Sequence, residues 1–137
     1  EKDIFKAAEK FAEETGCILV LKHACTFICH KSGIKYILDS GHYGMAKFGT
    51  GDGLAGVVAS VLSNIMVLPQ IDVESILDLL REGHKPTVEF FAGRIADAIH
   101  TYNVSALMLV KDKSSLVVSA TSIIENLPEA IKKLEDV

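Results

Sequence analysis

The segment GHYGMAKFGTGDGLAG, residues 41–56, holds six of the ten glycines in the 137-residue chain. It runs directly into VVASVLSNIMVL, residues 57–68, in which hydrophobic residues recur at helical spacing. This pattern predicts a helix that is apolar nearly all round and therefore buried, with Leu54, Val57, Val58, Val61, Leu62 and Ile65 as its apolar residues.

The tetrapeptide Gly49-Thr50-Gly51-Asp52 at the start of this helix indicates an anion site. Backbone N–H groups are exposed at a helix N-terminus, and the helix dipole adds about half a positive charge there. Glycine lets phosphate oxygens approach the main chain, and the Thr50 hydroxyl adds one more donor. A carboxylate beside a phosphate is useful as a base for an attacking hydroxyl, the role that we assign to Asp52. The alternative is an ordinary helix entry in which Asp52 is merely a cap.

The segment before the loop predicts one helix and three strands. Residues 3–15 have an amphipathic pattern that stops at Gly16, so they predict a helix. The apolar run CILVLK, residues 17–22, predicts a central strand buried on both faces of a parallel sheet. TFICH (26–30) and IKYIL (34–38) flank a turn-forming cluster and predict a hairpin.

The segment after the loop predicts helices and a second hairpin. Helices are expected from Asp72 to Gly83 and from Pro86 past Tyr102. The apolar runs at residues 105–110 and 115–119 predict a hairpin, and Thr121 and Pro128 introduce short closing helices. Strands and helices interleave without a linker, so we expect a single α/β domain over residues 1–137.

Composition narrows the class of partner. The net charge is −4 and the 14 Lys and Arg residues are scattered, which disfavours nucleic acid as a partner. No apolar run approaches the roughly 20 residues that a bilayer requires, so we expect no membrane association. Three cysteines in apolar surroundings suit a reducing compartment, and we predict a cytoplasmic protein.

A metal site at His23, Cys25, Cys29 and His30 is disfavoured. Strand alternation points His30 away from Cys29, and the four residues lack the spacing that zinc sites commonly use. Cys25 as a nucleophile lacks a base in the sequence, so a small buried residue is the preferred interpretation.

The motifs around the loop carry a family resemblance. VLKHACTFICHKSGIKYILDSGHYGMAKFGTGDGLAGVVASVLS, residues 20–63, resembles the VLKG-x-x-T…G-N-x-x-MA-x-x-G-[TS]-G-D-x-LAG segment of the ADP- or ATP-dependent NAD(P)H-hydrate dehydratases. The ending SATSIIENLPEAIKKL, residues 119–134, is similar to that family's closing helices. The resemblance implies a ribokinase-like layered α/β fold with a mainly parallel sheet and flanking helices.

The resemblance also implies a reaction. In this family, ADP or ATP, with Mg²⁺ as an expected companion, phosphorylates the hydroxyl of hydrated NADH or NADPH, and loss of phosphate restores the cofactor. By matched position, Asp52 would be the catalytic base and contact the hydrated nicotinamide. The nucleotide would be held by two segments of this chain: Gly49, Thr50 and Gly51, and Lys22, His23, Ala24, Cys25 and Thr26.

The sequence departs from the family at five positions and in length. His23, His42, Tyr43, Lys47 and Phe48 replace the family's residues, which predicts a differently shaped loop. The chain resembles only the C-terminal half of the family's domain. We therefore expect a homo-oligomer or pairing with an N-terminal half, and no appreciable dehydratase activity from this chain alone. A non-catalytic nucleotide-binding or assembly half-domain, or a small-molecule kinase of the same superfamily, is the alternative.

Overall fold

A computed structural model describes residues 3–67 and 87–135. The helices are α1 (Ile4–Thr15), α2 (Thr50–Val67), α3 (Val88–Asp112), α4 (Ala120–Glu125) and α5 (Leu127–Glu135). The strands are β1 (Leu19–Lys22), β2 (Thr26–Cys29) and β3 (Lys35–Leu38), and short 3-10 turns cover Tyr43–Met45 and Ser115–Val117. The helix predicted from Asp72 to Gly83 and the predicted start at Pro86 lie outside the described residues. No helix in the described ranges has both the length and the apolarity to span a membrane.

The three strands form an antiparallel sheet in the order β1-β2-β3. The predicted hairpin over residues 26–38 is confirmed: Cys29 lies opposite Lys35, and Thr26 lies opposite Leu38. Gly33 in the connecting turn has a φ of 92°, a conformation that glycine adopts without steric cost. All four residues of β2 are buried, so β2 is the central strand.

The prediction that residues 17–22 form the central strand of a parallel sheet is wrong for the described residues. Three residues link β1 to β2, and the His23 N–H donates to the Cys25 carbonyl oxygen at 3.1 Å. A parallel pair needs a crossover of a dozen or more residues, so this link permits only an antiparallel pair. The run is continuously apolar because helices cover both faces of the sheet, which an antiparallel sheet also allows.

The helices pack on both faces of the sheet. On one face, Ala8 and Ala12 of α1 meet Phe27 and Cys29 of β2. On the other face, Ile28 joins a larger core built mainly by α2, α3 and α4, whose buried members are Leu54, Ile95, Ile99, Tyr102, Ala106, Leu109, Val118 and Ile123. The α/β class is therefore confirmed, and Asp3 and Gly16 close the two ends of α1 as an N-cap and a left-handed C-cap.

The predicted second hairpin is wrong. Residues 105–110 continue α3, and Ser115–Val117 is a 3-10 turn. The buried residues Ile99, Tyr102, Ala106 and Leu109 keep the helical spacing of three or four along the whole segment. The two closing helices are confirmed, and the first is capped by the Ser119 side chain, which accepts from the Ser122 N–H.

Helix α2 is confirmed, but the prediction that it is buried all round is wrong. Leu54 is buried, and Val57 and Val58 are half-buried, whereas Ala55 and Gly56 are exposed. Within the described residues, α2 packs chiefly along one side, against α3 and α4. High apolar content therefore did not distinguish a helix with one covered face from a helix surrounded by protein.

Candidate functional site

The glycine loop reaches α2 through a turn that its own side chains hold in place. Gly49 has a φ of 80°, and the buried Thr50 begins the helix. The Thr50 Oγ1 lies 2.7 Å from the Met45 carbonyl oxygen and 2.8 Å from that of Lys47. Because a hydroxyl has one proton, that proton is engaged within the loop. Thr50 thus shapes the loop that precedes α2, and its hydroxyl is not the additional free donor that we expected.

The N-terminus of α2 leaves backbone donors available. The Gly53 N–H donates to the Gly49 carbonyl oxygen at 2.8 Å, and Thr50 N lies 3.4 Å from the Lys47 carbonyl oxygen. Over residues 3–67 and 87–135 the structure gives no hydrogen-bond partner to the N–H groups of Gly51 or Asp52. These are the groups that bind anions at a helix N-terminus.

A lysine from the sheet lies beside these donors. Lys22 is the last residue of β1, and its Nζ is 3.4 Å from the point where a Cβ on Gly51 would lie. The β1–β2 turn, His23 to Cys25, follows Lys22 and brings it opposite Thr26 in the register. The structure therefore brings together Lys22 and Gly51, which are 29 residues apart in the sequence.

These two segments border a cleft of about 860 Å³. Its lining is Lys22, His23, Ala24, Thr26, Leu38, Gly41, His42, Tyr43, Met45, Ala46, Lys47, Phe48, Thr50, Gly51, Leu54, Tyr102 and Asn103. Two lysines and two histidines are present, and no carboxylate is found among the lining residues that the structure describes. The protein has a net charge of −4, but the described lining of the cleft contains two lysines and no carboxylate. The cleft therefore favours an anionic ligand.

Three expected site residues lie at the margin of this cleft or beyond it. Cys25 and Gly49 are half-buried and do not line the cleft. Asp52 is exposed in the first turn of α2 and also lies outside the lining. Lys22, His23, Ala24, Thr26, Thr50 and Gly51 do line it.

Residues of α3 contribute to the cleft, and no sequence motif had pointed to them. Asn103, 5% exposed, donates through Nδ2 to the Ser40 Oγ at 3.2 Å. Tyr102 donates its hydroxyl proton to the Thr50 carbonyl oxygen at 3.0 Å, so it supports the first turn of α2 from below. Burial raises the pKa of the Tyr102 hydroxyl above its ordinary value, so Tyr102 remains a neutral donor at neutral pH.

Lys47 fixes the outer part of the loop. Its Nζ donates to the Ser115 carbonyl oxygen at 2.9 Å and to the Leu116 carbonyl oxygen at 2.8 Å. These two bonds join the glycine loop to the 3-10 turn that follows α3. Lys47 therefore links two segments that are distant in the sequence.

The residues considered for a metal have structural contacts. The His30 Nδ1 accepts from the Ser32 N–H at 3.1 Å, and its Nε2 lies 3.2 Å from the Gly16 carbonyl oxygen. Burial is the main cause that raises the pKa of the Cys29 thiol. Among residues 3–67 and 87–135, no group of three His, Cys, Asp or Glu side chains is placed to hold a metal ion.

Known proteins are similar to the part of the chain that supplies most of the cleft lining. The family model for NAD(P)H-hydrate dehydratase matches residues 1–74. The chain is 39% identical over 61 residues to the bifunctional NAD(P)H-hydrate repair enzyme Nnr of Moorella thermoacetica, an overlap of 44% of this chain and 12% of that enzyme. It is 37% identical over 73 residues to the bifunctional NAD(P)H-hydrate repair enzyme of Leishmania braziliensis, covering 53% of this chain and 13% of that enzyme. The chain thus spans about an eighth of the length of these curated relatives.

Solved structures share the fold. Bacillus subtilis YxkO, a member of the UPF0031 family, superposes with a TM-score of 0.69 at 20% identity over 93% of this chain and 39% of that chain. The Bacillus subtilis ADP/ATP-dependent NAD(P)H-hydrate dehydratase, co-crystallised with ATP/Mg²⁺ and soaked with CoA, gives a TM-score of 0.68 with the same identity and coverage. Because the family model matches more than half of the residues, the chain belongs to the NAD(P)H-hydrate dehydratase family.

Proposed function

We propose that the protein takes part in the nucleotide-dependent dehydration of hydrated NADH or NADPH, and that this chain supplies the phosphate-binding side of the site. The observation that carries the proposal is the proximity of Lys22 to the N–H groups of Gly51 and Asp52, which have no hydrogen-bond partner among the described residues. The ammonium group and the helix dipole attract the same ligand, a phosphate chain. The absence of carboxylates from the described lining removes the group that would repel it.

In this proposal the phosphate chain of ADP or ATP lies along Gly49, Thr50 and Gly51. Lys22 neutralises part of its charge, and the segment from His23 to Thr26 borders the nucleotide on the sheet side. The hydroxyl oxygen of the hydrated nicotinamide attacks the terminal phosphorus atom, and Asp52 removes the hydroxyl proton. The bond from that phosphorus to the bridging oxygen breaks, so that ADP leaves as AMP, or ATP leaves as ADP. Departure of phosphate from one ring carbon, with loss of a proton from the adjacent ring carbon, then restores the double bond of NADH or NADPH.

Mg²⁺ would enter this site with the nucleotide. The described lining offers the ion no carboxylate ligand, and hard divalent cations prefer oxygen donors. The oxygens of the nucleotide's own phosphates are therefore the donors for Mg²⁺ in this proposal. We also propose a cytoplasmic location, supported by the free thiols Cys17, Cys25 and Cys29.

One observation favours a second candidate, a non-catalytic nucleotide-binding half-domain. Asp52 is exposed and does not line the cleft, so within the described residues no carboxylate lines the cleft in which the phosphates are proposed to bind. A small-molecule kinase would use the same phosphate site with a different acceptor hydroxyl. The three candidates differ in what happens after nucleotide binding.

The test has two parts. Isothermal titration of the 137-residue chain with ADP, with pyrophosphate as a control, measures the phosphate site directly; we expect both to bind. Recovery of NADH absorbance from hydrated NADH plus ADP or ATP is then measured for this chain and for the native gene product, whose intact mass is determined first. We expect recovery with the gene product and none at enzyme-like rates with this chain alone. Binding without recovery by the gene product would favour the non-catalytic candidate, and absence of ADP binding would contradict the proposal.

We also propose that the open sheet edges pair with other strands, from a second copy of the chain or from an N-terminal half-domain. β1 and β3 are the outer strands of the described sheet, and Ile37 of β3 is 66% exposed. Exposed strand edges present unpaired N–H and C=O groups that favour pairing. Sedimentation equilibrium should show a dimer or larger assembly that Ile37→Lys weakens. A monomer at high micromolar concentration would contradict self-association.

A further inference from the structure

Two aromatic side chains that line the cleft are largely exposed to solvent. Tyr43 is 79% exposed and Phe48 is fully exposed, and both line the same cleft as Lys22 and Gly51. Both residues are among the departures from the family pattern. Large apolar side chains that are exposed at a cleft often mark a binding site.

The backbone beneath these rings is fixed. The His42 ring lies against the Tyr43 ring, with centroids 4.1 Å apart and an angle of 34° between planes. The His42 Nδ1 accepts from the Gly44 N–H at 3.0 Å, which holds the turn that carries Tyr43. Phe48 follows Lys47, whose ammonium is bound to two carbonyl oxygens. The rings are therefore presented from anchored segments.

We propose that Tyr43 and Phe48 form a stacking platform for the adenine ring of the nucleotide whose phosphates bind at Gly51 and Lys22. This inference rests on the proposed function and extends it to base recognition. An aromatic ring offers a flat apolar face to any purine, and such stacking is sequence-tolerant and strong. Phe48 directly precedes Gly49, so the platform and the phosphate site belong to one loop.

The composition of the cleft favours a nucleotide over an apolar peptide as the occupant. The lining of the same cleft includes Lys22, His23 and Lys47, with no carboxylate among the described lining. A purely apolar partner would leave the ammonium groups of Lys22 and Lys47 without a counter-charge. A ligand with a flat heteroaromatic ring at one end and phosphates at the other satisfies both parts of the surface.

The test compares a ligand that has a base with one that lacks it. ADP and pyrophosphate carry the same number of phosphate groups, and both are titrated into the wild-type chain, Tyr43→Ala, Phe48→Ala and the double variant. Removal of a stacking ring typically costs about 5- to 150-fold in affinity. We expect a loss in this range for ADP in the double variant and a change of less than about twofold for pyrophosphate, which lacks a base to stack. Tyr43→Trp should keep the ADP affinity of the wild type.

Folding is not at risk in these variants because both side chains are highly exposed. Phe11→Ala removes an aromatic ring that is 51% exposed on α1, outside the cleft, and serves as the matched control. It should leave both affinities unchanged. Titration with NADH, which also contains adenine, shows whether the platform serves the phosphoryl donor or the repaired cofactor. Loss of ADP affinity in the double variant supports the platform, and loss of NADH affinity alone contradicts it.

Three outcomes would overturn the inference. Equal ADP affinity in the wild type and the double variant, with pyrophosphate still bound, would reject the platform and leave the proposed function standing. Loss of self-association with unchanged ADP affinity would identify the two rings as a protein contact. Failure of the wild type to bind ADP and pyrophosphate at all would reject the proposed function and the platform with it.

Discussion

A single lysine at the end of β1 brings positive charge to the start of α2. Both partners of this juxtaposition are visible in the sequence: Lys22 ends an apolar run, and Gly51 belongs to the glycines that precede a helix. Tyr102 and Asn103 were missed, because the contact of Tyr102 with Thr50 spans 52 residues. A contact at that separation has no local signature, since periodicity reports only which face of a helix is covered. Local sequence thus pointed to the lysine and the glycine loop that border the cleft, whereas the contacts of Tyr102 and Asn103 depend on long-range packing.

Replacing Lys22 by alanine should weaken nucleotide binding. Hydrogen bonds to charged groups are worth about 1.5–3 kcal/mol, and the exposure of Lys22 places the expected loss near the lower end, about tenfold in ADP affinity. The loss should shrink at high salt, because exposed charges are screened. Titration calorimetry at two salt concentrations measures both effects. Lys132→Ala on the exposed side of α5 is the matched control, and an equal loss there would indicate a general charge effect.

Replacing Asp52 by asparagine separates a catalytic base from a helix-end residue. If Asp52 removes a proton, turnover of the complete enzyme should fall by about 10²- to 10⁴-fold while nucleotide affinity holds or improves slightly. If its role is only to complement the helix dipole, stability should fall by about 0.3–1 kcal/mol and turnover should remain. Turnover, affinity and urea unfolding are measured on the same sample. Asp39→Asn, an exposed carboxylate outside the cleft lining, is the control.

Helices and strands could be predicted from the sequence where short-range patterns determine them. The hairpin of β2 and β3 was predictable because a turn-forming cluster separates two apolar runs. The direction of β1 was not, since a short apolar run is typical of any strand that is covered on both faces. The end of α3 was mistaken for a strand because SALMLV, residues 105–110, is a short apolar run, and such a run is typical of a strand and of a buried helix alike. In the structure this segment is helical, and Ala106 and Leu109 pack in the core.

Two glycines of α2 should respond to alanine with opposite signs. A Cβ on Gly53 would lie 2.8 Å from the Tyr102 Oη, and Tyr102 is 1% exposed and has little room to move. Gly53→Ala should therefore destabilise the protein by about 1–2 kcal/mol. Gly56 is exposed, and a Cβ added to it would meet no atom within 4 Å, so Gly56→Ala should stabilise by about 0.5–1 kcal/mol.

Urea unfolding of both variants and of Gly53→Ala/Tyr102→Phe measures these effects. Tyr102→Phe removes the clashing hydroxyl, so the double variant should recover part of the loss caused by Gly53→Ala. Tyr102→Phe alone should cost about 0.5–1.5 kcal/mol for its hydrogen bond. A destabilising Gly56→Ala or a neutral Gly53→Ala would contradict the packing at the start of α2.

The stability of the protein as a unit should decline in alkali. The pKa values of Cys29, Tyr102 and Lys35 are all raised, by burial for the first two and by the hydrogen bond to Glu9 for Lys35. The folded chain then holds these protons more tightly than the unfolded chain does. The resulting stabilisation is complete below the ordinary pKa values, 9.0 for the thiol, 10.0 for the phenol and 10.5 for the ammonium, and is lost as the pH rises past them.

The free energy of unfolding, measured with urea from about pH 7 to about pH 11, should therefore fall above about pH 9. Cys29→Ala should postpone the onset toward the range of Tyr102, at some cost in packing at all pH values. A flat profile above about pH 9 would contradict the raised pKa values. The same experiment bears on residues 1–137 as one domain, which stays a prediction: a single domain should unfold in one cooperative transition.

The two hydrogen bonds of Lys47 have a consequence for the order in which segments of the protein fold during synthesis. β1, β2 and β3 lie within residues 19–38 and pair with near neighbours, whereas Lys47 binds carbonyl groups that follow it by 68 and 69 residues. On a ribosome the sheet can therefore assemble early, but the glycine loop gains its anchor only after Leu116 has emerged. Local pairing precedes contacts that require long loops to close. A nascent chain halted before Ser115 would carry the whole Gly49-Thr50-Gly51-Asp52 loop without the two carbonyl oxygens that anchor Lys47. Under the proposed function, capture of the nucleotide would therefore follow the synthesis of this region rather than begin with the loop.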